Sequence, residues 1–167
     1  MTPAVVFLLH THVMHWKDPF NCSLDPLLTG YRIGLRTGQY DHALACANSY
    51  AVCAYNSGYE LSVLERDLNA FGSQALAYRQ HFALDAMAAI RQMALNLMGG
   101  NTSNTASRPL ILTGDAMDQT QALKDAQRQR NHYTISVILR ARLELAYLLN
   151  STHLEVLLED FEETVEG

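Results

Sequence analysis

Three features that would each point to a familiar class of protein are scarce in this chain of 167 residues. Cysteine is one: Cys22, Cys46 and Cys53 make an odd count with no framework spacing, which argues against a secreted disulfide scaffold and for a reducing, cytoplasmic setting. Basic excess is another. Twelve Lys and Arg against 17 Asp and Glu leave a net charge of −5, so a phosphate-binding surface for nucleic acid is not expected. Long apolar runs are the third. The longest early one, Ala4 to Leu9, is far short of the roughly 20 residues that span a bilayer. With no basic residue before it and no small-residue cleavage pattern after it, a secretory signal is not expected either. The Asn-x-Ser/Thr triplets at Asn21, Asn101 and Asn150 are therefore read as chance.

The signatures of nucleotide chemistry are missing as well. Gly99-Gly100 has neither the spacing nor the lysine of a phosphate cradle, and no protein-kinase signature occurs. No histidine has the acid and downstream proline of a phosphoacceptor. Cys22 lies near Lys17 with no base placed beside it. No catalytic residue, cofactor site or metal site is assigned.

Leu and Ala together number 45, whereas Val and Ile number 13. Straight-chain and small side chains favour helix, and β-branched ones favour strand, so the chain is expected to be all-α. Thr2-Pro3 opens a first helix over residues 2 to 16, ended by Asp18-Pro19. Ser23 is placed to cap a second, with a stripe of Leu27, Leu28, Tyr31 and Leu35 and a stop at Gly38. Asp41 is placed to cap a third, lined by Ala43, Ala47, Tyr50 and Ala54 with Leu44, Cys46 and Cys53 beside them, and ended by Gly58. A fourth carries Leu61, Leu64, Leu68 and Phe71 toward Tyr78, with Gly72 as a candidate kink. A fifth runs from His81 to Met98.

The texture then changes. GGNTSNTASRP (99 to 109) has almost no apolar content and is expected to be a mobile loop over about 99 to 110, longer than the usual ~2–8 residues between helices. Helices over 115 to 129, 131 to 149 and 152 to 166 complete a set of about eight. The last sets Leu154, Leu157, Leu158 and Phe161 opposite six acids, a face expected simply to be solvated.

Consecutive helices with one apolar stripe each and short turns stack into an antiparallel hairpin solenoid. TGQYDHAL (37 to 44) looks like the turn inside a tetratricopeptide unit: the glycine reverses the chain and small Ala43 sits where the paired helices come closest. The same logic recurs at Gly58 and near Asn150. Gly38 and Gly58 imply a two-helix unit of about 40 residues, longer than the ~34 of that repeat class, so the repeat is degenerate.

A further series of segments resembles one family. HWK (15 to 17), PLLTGYRIGLRTGQYDHAL (26 to 44), LSVLERDL (61 to 68), IRQMALNLMG (90 to 99), PLILTGDAMD (109 to 118) and NHY…LELAYLL (131 to 149) are similar to the helical region of large multidomain signalling proteins. Those proteins join a Ser/Thr-kinase-like domain, an AAA-type ATPase, a tetratricopeptide-like region, a GAF sensor and a histidine kinase. The segments keep the family's order over nearly the whole chain, but the loop at 99 to 108 is expanded and nothing of the kinase, ATPase or GAF parts is present. The resemblance implies a single helical-repeat segment over 1–167, a fragment of a larger protein. It would be a non-catalytic connector between ATPase and sensor parts, with neighbouring domains or other proteins as partners and no nucleic acid or membrane. Such a slice is expected to self-associate or to be only marginally stable when isolated.

Candidate contact residues are few. Trp16 beside Lys17 either caps the first helix pair, the favoured role, or anchors a partner. Lys124, Arg128 and Arg130 form a small basic patch for an acidic neighbour, more simply read as solvated. Two other functions are carried forward. A free-standing peptide-binding adaptor would need a row such as Asn48, Asn56, Asn69 and Asn96. A metal-dependent helical enzyme would use His10, His12 and His15, where His12 and His15 share a helix face and His10 does not.

Overall fold

A computed structural model describes residues 2–99 and 110–149. Among these residues the protein is all-helical, with seven α-helices and one isolated β-bridge, Thr113 to Asp118. Residues 100–109 of the loop expected over about 99 to 110, and the expected eighth helix, lie outside the described residues. The helices are α1 (Pro3–His12), α2 (Leu24–Thr37), α3 (Tyr40–Asn56), α4 (Leu61–Ala77), α5 (His81–Met98), α6 (Gln119–Arg128) and α7 (His132–Leu148). The chain divides into two compact units, Met1–Met87 and Ala88–Gly167, and α5 passes from the first into the second.

The first unit is built around α3. Ala43, Leu44, Cys46, Ala47, Ser49, Tyr50, Ala51, Cys53 and Ala54 are all buried, so this helix is enclosed on most sides. The small residues decide how close its neighbours come. A Cβ built on Gly34 would lie 2.7 Å from the Cβ of Ala43 and 3.0 Å from its Cα. One built on Gly30 would lie 2.9 Å from the Cys46 sulfur and 3.0 Å from a Val6 methyl. Thus α2 and α3 touch backbone to backbone at Gly34, and α1 closes over them at Gly30. The expected stripe on α2 is corrected accordingly: Leu27 and Tyr31 are buried, but Gly30 and Gly34 share that face, while Leu28 and Leu35 are only half-buried.

On the other side of α3, α4 buries Leu64, Leu68, Phe71 and Ala75. Phe71 meets Tyr31 and Tyr50 edge-on, with ring centres 5.0 and 5.9 Å away. Each tyrosine keeps its hydroxyl bonded at the rim: Tyr31 donates to Gln74 Oε1 (2.5 Å) and Tyr50 to Asp67 Oδ2 (3.1 Å). Burial pushes the Tyr31 phenol up to about 12 and the Tyr50 phenol higher still, the latter helped by the Asp67 carboxylate, so both stay protonated donors.

Helix ends follow one pattern. Gly38, Gly58, Arg79 and Arg130 adopt positive φ (73°, 73°, 57° and 53°) just past α2, α3, α4 and α6. In each case the next N–H donates to the carbonyl five residues back: Gln39 to Gly34 (2.9 Å), Tyr59 to Ala54 (3.0 Å), Gln80 to Ala75 (2.8 Å) and Asn131 to Ala126 (2.8 Å). This left-handed cap satisfies helix-end carbonyls and turns the chain back. Glycine adopts it freely. At the two arginines the cost is about 1–2 kcal/mol each, offset by the same kind of backbone bond.

Helix starts depart from the expected caps. Neither Ser23 nor Asp41 makes a side-chain cap bond. The Ser23 hydroxyl turns instead to His10, and Asp41 lies one residue inside α3, against His42. In the second unit, Asp118 accepts from the Gln121 N–H (3.0 Å) and Asn131 from the Thr134 N–H (3.1 Å), so α6 begins at Gln119, four residues later than expected. The first helix is also shorter than expected. It ends at His12, and Met14–Trp16 is a separate 3₁₀ turn, as is Phe20–Ser23. Gly72 breaks nothing, since α4 runs through it. In the α6–α7 hairpin, Leu123 and Ala126 pack on Ile135 and Leu139.

Two glycines in helices give opposite expectations. Gly→Ala in a helix normally gains about 0.5–1 kcal/mol. At Gly72 the new methyl meets only Leu84 at 3.5 Å, so Gly72→Ala gains that amount. At Gly34 the backbone of Ala43 cannot move aside, and overpacking costs about 1–3 kcal/mol, so Gly34→Ala loses a net ~1–2 kcal/mol. Thermal unfolding followed by circular dichroism checks this, at about 2–4 °C per kcal/mol.

Candidate functional site

The three histidines of the metal hypothesis go to three different partners. His10 Nδ1 lies 3.0 Å from the Ser23 hydroxyl, His12 meets the edge of Phe7, and His15 sits between Trp16 and Phe20. Among the described residues no three of His, Cys, Asp and Glu converge as they would around a metal ion.

His10 and Ser23 form a Ser–His pair that the sequence reading missed, because 13 residues and two 3₁₀ turns separate them. Chemically such a pair resembles a nucleophile and its base. Here Ser23 is only 2% exposed, so its hydroxyl faces no approaching substrate. Beside it, the Thr11 hydroxyl donates to Ser49 on α3 at 2.8 Å. The two bonds are polar ties that fix α1 to the start of α2 and to α3. Burial holds the His10 imidazole below its usual 6.5, because desolvation penalises the cation.

Cys46 and Cys53 are buried free thiols. Cys46 donates to the Pro3 carbonyl (3.5 Å), and burial pushes its pKa up to about 11; Cys53 is shifted the same way. Neither has the thiolate a nucleophile needs. Cys22 is exposed.

The second unit contains a buried amide network. Gln92, fully buried, donates to Asn96 Oδ1 (2.8 Å) and accepts from the Ala116 N–H (2.9 Å). Asn96 donates to the Ile111 carbonyl (2.9 Å), and Gln119 accepts from the Leu112 N–H (3.0 Å). The network straps the irregular segment 110–118 onto α5 and spends its amides on that backbone. Asn96 is thus used internally, and Asn56 folds back on the Val52 carbonyl (2.8 Å), which removes two of the four asparagines from any row that would grip a peptide. Asn69 is exposed and Asn48 half-buried, both in the first unit.

The remaining candidates are exposed. Trp16 is 83% exposed, which corrects the favoured expectation that it caps the first helix pair by burial. The 3₁₀ turn swings it outward, its ring against His15 with centres 5.1 Å apart. Lys17 follows it, also exposed. Lys124, Arg128 and Arg130 are all exposed around the end of α6, and Arg128 is shared with Asp125 at 3.6 Å. The structure leaves these three side chains exposed to solvent.

Two measurements check these assignments. The unfolded chain protonates His10 near 6.5 and the folded one only at lower pH, so stability falls as the pH drops through that window. The urea midpoint should be lower at pH 5.5 than at 7.5, by less in His10→Asn. Gln92→Leu strands the Ala116 N–H and should cost about 2–4 kcal/mol, read from the same urea curves.

No family model, curated protein or solved structure matches this chain.

Proposed function

We propose that the chain is a non-catalytic, tetratricopeptide-like helical scaffold that engages protein partners or neighbouring domains. Its setting is a multidomain signalling protein, where it couples ATPase and sensor parts. The observation that supports this best is the recurrence of left-handed helix ends at Gly38, Gly58, Arg79 and Gly99, spaced 20, 21 and 20 residues apart. From α2 to α5 one helix and one turn recur at nearly this period, as in arrays of stacked helices, whereas the next such end, Arg130, comes 31 residues after Gly99. A second support is where the polar groups go. Gln92, Asn96, Gln119, His10 and Ser23 bond within the fold, whereas the aromatic Trp16 is held outward. The signalling setting comes from the sequence resemblance alone.

The reading frame around the coding segment tests the setting, with an ATPase expected before it and a GAF or histidine-kinase domain after it. A frame with neither, or a purified chain that turns over a substrate or holds stoichiometric metal, overturns the reading. Trp16 supplies the test of surface recognition. Being exposed, it should tolerate Trp16→Ala within about 2 °C of the wild-type melting point at low protein concentration. Binding to those neighbouring domains, measured by calorimetry, should fall.

A further inference from the structure

We infer that the outer face of α1, together with the 3₁₀ turns after it, is the surface through which two copies of this chain pair about a twofold axis. The inference holds whatever larger protein the chain serves.

Helix α1 is apolar nearly all round: PAVVFLLHTH contains no Asp, Glu, Lys or Arg. A helix of that kind is normally enclosed on every side. Here one side is enclosed, with Pro3 and Val6 buried and His10 tied to Ser23. Val5, Leu8 and His12 share the opposite side, at helical spacing, and that side is open. Val13, Trp16 and Phe20 extend it beyond the helix. The exposed fractions of Val5, Leu8, Val13, Trp16 and Phe20 are 49%, 54%, 55%, 83% and 39%.

These fractions leave roughly 500 Å² of apolar side chain facing solvent, near the top of the ~300–600 Å² patch carried by an ordinary monomer. Two copies covering it would remove roughly 1,000 Å² together, which reaches the size of a small specific interface. Charge favours a second copy as the occupant. The chain as a whole is at −5, but from Pro3 to Trp16 it carries no fixed charge, so this is a face that two copies can bring together without like-charge repulsion. The rim carries one charge of each sign, Lys17 and Asp18. A twofold contact needs a self-complementary patch, and an uncharged aliphatic ridge ending in an aromatic anchor supplies one. The anchor is preorganised: His15 stacks on Phe20 at 7° and 6.2 Å and also lies against Trp16, with ring centres 5.1 Å apart. Ordered aromatics of this kind carry most of the binding energy at protein interfaces.

The test is sedimentation equilibrium on the full chain at about 1 to 100 µM, bracketing the affinity expected of a contact of this size. A species of twice 18.6 kDa is expected. Leu8→Glu places a charge at the centre of the contact and should weaken association by about tenfold or more, with an unchanged circular dichroism spectrum and melting point at low concentration. Trp16→Ala should weaken it too. Leu76→Glu, on an exposed apolar residue of α4, should leave the mass unchanged. A monomer across the whole range overturns the proposal. So does a dimer that ignores Leu8→Glu and Trp16→Ala but dissociates with Leu76→Glu. A monomer that instead floats with phosphatidylcholine vesicles through the same residues assigns the face to lipid and also overturns it.

Discussion

The first unit depends on one contact, the touching backbones of α2 and α3 at Gly34 and Ala43. With a Cβ on Gly34 the two helices would have to move apart, because the nearest atoms are Ala43 Cβ at 2.7 Å and its Cα at 3.0 Å. The separation they reach without it sets the depth at which Leu27 and Leu44 are fully buried, each worth about 1.5–3 kcal/mol. It also sets the ledge that α1 occupies, since Val6 reaches Gly30 and Cys46 only while α2 and α3 stay close. Helix propensity argues against glycine at both positions, at up to ~1 kcal/mol each. Packing outweighs it, and those glycines stand where a larger residue would push the layers apart.

Much of this was legible in the sequence, for local reasons. Helix stops at Gly38 and Gly58 could be read because a left-handed cap nearly demands glycine. The α5 limits, His81 and Met98, could be read because the apolar periodicity begins and ends there. Ala43 as the point of closest approach followed from its size. Arg79 and Arg130 were not legible, since they carry the same left-handed geometry without the residue that advertises it. Their signal was positional: Arg79 falls 21 residues after Gly58, where the period places the next helix end. Gly30 and Gly34 were passed over because a stripe count rewards large apolar side chains, whereas this interface uses absent ones.

The polar sites were harder to foresee, and the reason is distance along the chain. Asp118 and Asn131 cap α6 and α7 from three residues away, a local relation. The pair of His10 with Ser23, the bond of Thr11 to Ser49 38 residues on, and the bond of Gln92 to the Ala116 backbone all depend on the fold being formed. Ser23 shows the competition directly. Its sequence position marks it as a cap, yet its hydroxyl goes to the half-buried imidazole of His10, and the third residue of α2, Pro26, has no N–H for a cap to bond.

The same local competition bears on why the fold leaves apolar surface open on α1. Helix α1 is held from beneath by the His10, Thr11 and Cys46 side-chain hydrogen bonds and by the Val6 contact, so its inner face is fixed. Nothing in its own sequence, however, distinguishes an inside from an outside: Val5 and Leu8 are as apolar as Val6 and Leu9. The polar ties supply the distinction that hydrophobicity does not. His10 and Thr11 bond to Ser23 and Ser49, and in that rotation Val5 and Leu8 face outward. An amphipathic helix hides its oily side by folding alone. This helix has oil on both sides, and hydrogen bonds decide which side the fold covers and which it presents.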